Sequence, residues 1–209
     1  MQAPRDPAPL LAAEGLACRR GARLLFRGLS LRLESGAACH VTGANGAGKT
    51  TLIRTLAGLA SPFAGSVTRA GAAGLLAERS GLDPELPLAA ALAFWFGIDR
   101  VEDARQIMAR LRLAALAEVP VRYLSTGQHK RAALARLLGQ RAPIWLLDEP
   151  LSGLDGASQT LVSALVRAHC EGGGIALIAS HQPLDVPGLS SLALEDFAPA
   201  PADEEEAET

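Results

Sequence analysis

The run from Gly43 to Thr51, GANGAGKTT, constrains what this chain can fold into more than any other stretch. It fits G-x-x-x-x-G-K-[ST] at every required place, with Gly43, Gly48, Lys49 and Thr50. The flanks agree. Ala38 to Thr42 is a short, mostly apolar stretch suited to a buried strand, and TLIRTLAGL puts Leu52, Ile53, Leu56 and Leu59 on one helical face. A strand, a glycine loop and a helix in this order make a phosphate cradle. The backbone N–H groups of Gly43, Ala44, Asn45, Gly46, Ala47 and Gly48 can wrap an anion only where side chains leave room, and the following helix adds its positive end. Lys49 would reach the terminal phosphates as a point charge, the Thr50 hydroxyl would take one site on Mg²⁺, and Thr51 completes the run. The competing reading is an ordinary Gly-rich turn, which the nine-residue fit in a strand-helix setting disfavours. Residue usage points the same way: the chain holds eighteen Arg and two Lys, and one of those two Lys sits here.

A chain of 209 residues can bury one good-sized core, with room for a subdomain. Its charge of 20 basic against 22 acidic residues is set by the tail, because Asp203, Glu204, Glu205, Glu206 and Glu208 lie in the last seven positions. With that balance and no basic run longer than two, nucleic acid is not an expected partner. Cys18, Cys39 and Cys170 are scattered and form no C-x-x-C, which argues against a disulfide framework or a zinc site and for a reducing compartment. The N-terminus lacks the apolar core of a secretion signal, and the longest apolar run, Leu88 to Ile98, is too short to span a bilayer.

Along the chain, residues 1–12 are Pro-rich and read as a flexible N-terminus. The main domain is expected over 13–196. Short strands fill Leu16 to Leu33 around a turn at Gly21, another brief β segment lies near Ser66 to Arg69, and an apolar piece follows at Leu75 to Ala77. From Leu86 to Leu116 the helical period dominates, with Ile107 and Leu111 on one face, so a helical insert is expected over about 84–141. Phe94, Trp95 and Phe96 are consecutive, and no single helix face can bury all three. Either two face the core and one is partly exposed, or the cluster is a docking surface for another protein. Ser125 with Gln128 forms an S-x-x-Q capping box that opens a helix through Leu138. Ile144 to Leu147 and Ile175 to Ala179 are wholly apolar, as central parallel strands are, with a helix near Ser158 to Cys170 between them. Residues 197–209 read as an acidic disordered tail. This alternation makes an α/β fold.

Asp148 and Glu149 emerge from the end of an apolar strand, at the carboxyl edge where open α/β sheets bind ligands. A charge buried there needs a partner, and a metal ion beside the phosphate loop would supply it. Asp148 would orient Mg²⁺ or its water, and Glu149 would polarise the attacking water. His181, just past the next strand, can hydrogen-bond the γ-phosphate or that water. His40, His129 and His169 have no such placement and read as structural or solvated.

Taken in order, GANGAGKTT, LSTGQ at Leu124 to Gln128, IWLLDEP, SGLD at Ser152 to Asp155 and His181 closely resemble an ABC transporter ATP-binding cassette over about Leu16 to Leu194. LSTGQ is the specific part. The resemblance implies a P-loop cassette: a mostly parallel sheet core, an N-terminal antiparallel β subdomain and an inserted helical subdomain. It further implies a transport-coupled ATPase in which two copies meet head to tail, each ATP held by one copy's P-loop and the other's signature. Ser125 and Gly127, with Gln128, would then contact nucleotide in trans, and Asp155 would couple the two sites. Ser125 would also cap its own helix. Catalytic roles fall to Lys49, Glu149 and His181, and metal binding to Thr50 and Asp148.

The sequence departs from the family pattern at three points. Thr126 replaces a signature glycine, adding a side chain where close approach is wanted. No Gln occurs between Thr51 and Arg105, so the family's Q-loop glutamine is missing and Glu78, Arg79 or Ser80 occupies its region. The aromatic that stacks on adenine is also absent; Arg20 lies nearest, and an Arg plane can stack on a base. Within the class, CRR, FRGLSL, the relaxed signature and SHQPLD resemble the ATP-binding subunits of bacterial cytochrome c biogenesis haem exporters. That likeness implies a peripheral protein on the cytoplasmic face of the inner membrane, bound to integral membrane subunits and meeting haem only indirectly. A cassette for another exported substrate and a non-hydrolysing, ATP-switched interaction module remain competing readings. A soluble repair or translation cassette would carry long coiled coils or two cassettes, and neither is present.

Overall fold

In the computed structural model, residues 8–78 and 80–199 are described. Strands β1 (Leu10–Arg20) and β2 (Arg23–Glu34) pair antiparallel across the turn at Gly21, with Leu16 opposite Leu29 and Cys18 opposite Phe26. The alternation in LSLRL holds: Leu29 and Leu33 are buried while Ser30 and Arg32 face out. β4 (Ala64–Ala70) adds to the other edge of β1, giving a three-stranded sheet ordered β2-β1-β4. Leu10, Leu11 and Ala12 correct the flexible-terminus reading of 1–12: they begin β1, pairing with Glu34, Leu33 and Arg32. Phe197 corrects the start of the tail read over 197–209: it closes a helical turn at Leu194–Phe197 and packs against the core of the β layer. Residues 1–7, 79 and 200–209 lie outside the described residues.

The second sheet is parallel, ordered β5-β6-β7-β3-β8, from β3 (Ala38–Thr42), β5 (Ala73–Leu76), β6 (Ile144–Asp148), β7 (Ile175–Ala179) and β8 (Ser190–Ala193). β8 carries no apolar run, and the sequence reading placed no strand there. Every residue of β6 and β7 is buried. Period-two geometry divides each strand between two cores. Ile144, Leu146, Ile175 and Leu177 pack with α1 (Lys49–Leu56) and the antiparallel sheet, whereas Trp145, Leu147, Ala176 and Ile178 pack with the helices opposite. The parallel sheet is thus the wall between the β layer and the helical layer.

α1 buries Leu52, Ile53 and Leu56 as its stripe requires, but it ends at Leu56, so Leu59 falls past the helix and is exposed. The helical stretch expected from Leu86 to Leu116 holds α2 (Leu88–Ile98) and α3 (Ala104–Arg110), with Arg100 left-handed (φ 53°) in the turn between them. α4 (Thr126–Gln140) packs against α2, and α5 (Gly156–Glu171) lies on the same face of the sheet, against β7. The aromatic triplet divides. Phe96 is buried against α4 at Gly139, and Trp95 is half-buried, donating Nε1–H to the Gly81 carbonyl under the Arg136 guanidinium; Phe94 is exposed.

Candidate active site

β3, β6 and β7 lie side by side and in parallel, so the segments leaving their carboxyl ends converge. From β3 the chain turns through Gly43–Gly48 into α1. Gly48 is the residue before the helix, at φ 109° with no side-chain cap, and a Cβ there would sit 3.1 Å from the Phe26 ring. Only glycine meets both demands. Because no side chain caps it, the first turn of α1 keeps its N–H groups for an anion. The Lys49 ammonium donates to the carbonyls of Gly43 (2.7 Å) and Ala44 (3.2 Å).

Asp148 ends β6, nearly all of it buried, and hydrogen-bonds the Thr50 side chain. Burial raises its pKa; the Thr50 bond opposes that, Glu149's charge adds to the rise, and the Lys130 and Lys49 charges oppose it. A hydroxyl beside a buried carboxylate is a hard oxygen donor set, the kind that fits Mg²⁺. Glu149, next in sequence, is left-handed at φ 47°. Its N–H donates to the Ala179 carbonyl (2.8 Å), and its own carbonyl accepts from Lys130 Nζ (2.9 Å) and the Ser152 N–H (3.3 Å).

His181 follows β7. Its Nε2 lies 2.9 Å from Lys49 Nζ and 3.6 Å from Glu149 Oε1. The two contacts require opposite proton placements. A lysine ammonium can only donate, so the shorter contact makes Nε2 an acceptor, and the longer one is not a charged pair. In this arrangement the Nε2 lone pair of His181 faces the Lys49 ammonium. Ser180 Oγ accepts the Gln182 N–H (3.0 Å), bending the chain at His181. His40 has a structural role, donating Nε2–H to the Ser180 carbonyl at 2.8 Å.

Arg20, Asn45, Gly46, Gly48, Lys49, Thr50, Thr51, Asp148, Glu149 and His181 line one cavity of about 230 Å³. Gly43, Ala44 and Ala47 belong to the same loop. Ser125, Gly127, Gln128 and Asp155 do not line it. Ser125 and Gln128 close the capping box that their spacing predicts, with the Gln128 N–H on Ser125 Oγ (3.3 Å) and the Ser125 N–H on Gln128 Oε1 (2.8 Å). Asp155 caps α5 through the Ser158 N–H (2.8 Å), and these Ser158 contacts hold its carboxyl below the usual range. Thr126 points its methyl at Gly153: a Cβ on Gly153, itself at φ 74°, would lie 2.8 Å from it. The extra side chain in the signature is accommodated by a glycine in SGLD.

Three residues at the site escaped the sequence reading. Leu25 lines the cavity beside Arg20, and Glu195 Oε1 accepts the Ala44 N–H at 2.9 Å from the far end of the chain. Lys130 holds Glu149. Only Lys130 left a signal, as the second lysine in an arginine-rich chain.

Residues 26–152 match the family model described as ABC transporter, which is more than half of the chain. The chain belongs to the ABC transporter family. This cassette is 53% identical over 189 residues, covering 90% of the chain and 97% of its relative, to the cytochrome c biogenesis ATP-binding export protein of Novosphingobium aromaticivorans. It is 47% identical over 188 residues to the protein of that name from Zymomonas mobilis, covering 90% of the chain and 85% of the relative. Among solved structures it resembles an inward-facing metal-chelate type ABC transporter with TM-score 0.74 and 26% identity, covering 89% of this chain and 80% of that one. The cassette is therefore a nucleotide-binding ATPase domain of the ABC type. Among the described residues no helix is long and apolar enough to cross a membrane.

Proposed function

We propose that this chain is the ATP-hydrolysing subunit of an ABC export complex serving cytochrome c biogenesis, with haem as the molecule whose delivery it energises. The observation that carries the reading is the meeting of the P-loop, Asp148, Glu149 and His181 around one cavity. Export and cytochrome c biogenesis come from the relatives' names, and haem from the local resemblance at CRR, FRGLSL and SHQPLD.

The loop N–H groups and Lys49 would bind the β- and γ-phosphates, with Arg20 against the base. Thr50 and Asp148 would hold Mg²⁺, which supplies positive charge to the phosphate oxygens. The Glu149 carboxylate would orient the attacking water and accept its proton. His181 would bond the γ-phosphate or that water through Nε2. Ser125, Gly127 and Gln128 would complete a site in a second copy, and Asp155 would bear on the junction between the two. The exposed Phe94 and Ile98, four residues apart on α2, would dock a membrane subunit. The protein would then sit peripherally on the cytoplasmic face of the inner membrane.

Glu149→Gln with the membrane subunits present is the test. We expect an ATP-bound dimer and turnover lower by about a hundredfold or more. Equal, negligible turnover in wild type and variant would favour the ATP-switched interaction module instead, and co-purification of the chain with membrane subunits but never with haem would point to another cargo.

A further inference from the structure

The chain has only two lysines, and both end at this site. Lys49 belongs to the P-loop. Lys130 stands in the second turn of α4, the helix that opens with the signature, and reaches the end of β6, where its ammonium meets the backbone carbonyl of Glu149 at 2.9 Å.

Glu149 needs to be held. It is left-handed at φ 47° and stands before Pro150, a neighbour that drives the preceding residue toward extended backbone. Such a conformation persists only where the surroundings over-determine it. Three bonds do so here: its N–H to the Ala179 carbonyl (2.8 Å), and its carbonyl to the Ser152 N–H (3.3 Å) and Lys130 Nζ (2.9 Å). Lys130 supplies the one side chain among them and the one charge-assisted bond. Burial lowers the pKa of its ammonium, while the carboxylates of Asp148, Glu149 and Glu78 oppose that shift.

We propose that Lys130 is the positioning residue for Glu149: its ammonium pins the left-handed peptide so that the carboxylate stays beside His181 at the cavity. The function assigned to this tie rests on the proposed role of Glu149 as the carboxylate that activates water. The N-terminal end of α4 carries Ser125, Gly127 and Gln128, so contact with a partner's nucleotide and the placement of the chain's own glutamate meet on one rigid helix.

The test compares wild type, Lys130→Met, Lys130→Arg and Glu149→Gln as full chains, by steady-state ATP hydrolysis and by amide hydrogen exchange across 148–154. Lys130→Met should lower kcat about tenfold, the size expected for one charge-assisted hydrogen bond, with KM for ATP within about twofold. Exchange at 149–152 should speed up, and Lys130→Arg should recover most of both. Turnover in Lys130→Met within about twofold of wild type, a rise in KM at constant kcat, equal defects in the Arg and Met variants, or unchanged exchange would each overturn the proposal. Wild-type turnover no higher than that of Glu149→Gln would sink the ATPase reading instead, and the exchange comparison would still judge the Lys130 tie.

Discussion

The P-loop and the signature loop both open a helix, yet their polar groups are employed in opposite ways. Before α1, Gly48 offers no cap, and Lys49, Thr50 and the Ala44 N–H bond to residues brought from beyond β7, from β6 and from the end of the chain. Before α4, Ser125 and Gln128 satisfy each other, and Thr126 turns to Gly153. One end is wired into a cavity; the other is self-sufficient and faces outward. A loop that completes its own cap can form without a ligand and present the same surface to a second molecule, whereas a helix whose first turn is left uncapped keeps N–H groups for what it binds.

The comparison is tested hardest at Glu149 and Lys49. Glu149→Gln and Lys49→Ala should each cost about a hundredfold or more in turnover with little change in Tm, and Lys49→Ala should also weaken ATP affinity, read by nucleotide titration. Unaltered affinity in Lys49→Ala would break the wired half. Next comes Gly153→Ala, expected to destabilise by about 1–3 kcal/mol in urea unfolding, because alanine resists positive φ and its Cβ meets the Thr126 methyl. Adding Thr126→Gly should recover only part of that loss; full recovery would mean backbone strain contributes nothing. Ser125→Ala should cost about 1 kcal/mol through the lost cap. On a Glu149→Gln background it should also weaken ATP-dependent dimerisation by gel filtration, and a stability loss with an intact dimer would confine Ser125 to its cap. The smallest effect is expected at Asp148. A carboxyl whose pKa is raised by folding weakens the fold as pH climbs from the ordinary carboxylate value through the raised one. Asp148→Asn should therefore raise Tm at pH 7, without Mg²⁺, by about 2–4 °C, and the gain should vanish at acid pH where wild type takes its proton. A gain independent of pH would refute the sign.

Much of this was legible in the chain. The glycine spacing, the apolar runs Ile144–Leu147 and Ile175–Ala179 and the S-x-x-Q cap report on local backbone geometry and on strands covered on both faces, and short-range physics writes such features directly into residue order. Short and interrupted elements are harder to read. β8 pairs with β3 through backbone bonds that carry no residue preference, and the Asp99–Asp103 break between α2 and α3 sits inside a stretch whose apolar period suits one longer helix. Leu10–Ala12 look like the end of a Pro-rich terminus until two neighbouring strands pair with them.

By itself the sequence determined the phosphate loop, its strand and helix and the carboxylates at the end of β6, since each is a contiguous pattern, and the family, through the order of several such patterns. Tertiary structure alone decided which groups hold those residues in place. Lys130 meets Glu149 from nineteen positions away, Glu195 meets Ala44 from 151, and Thr126 fits because Gly153 lies beneath it. Such contacts depend on how the sheets and helices pack, and no local spacing records them.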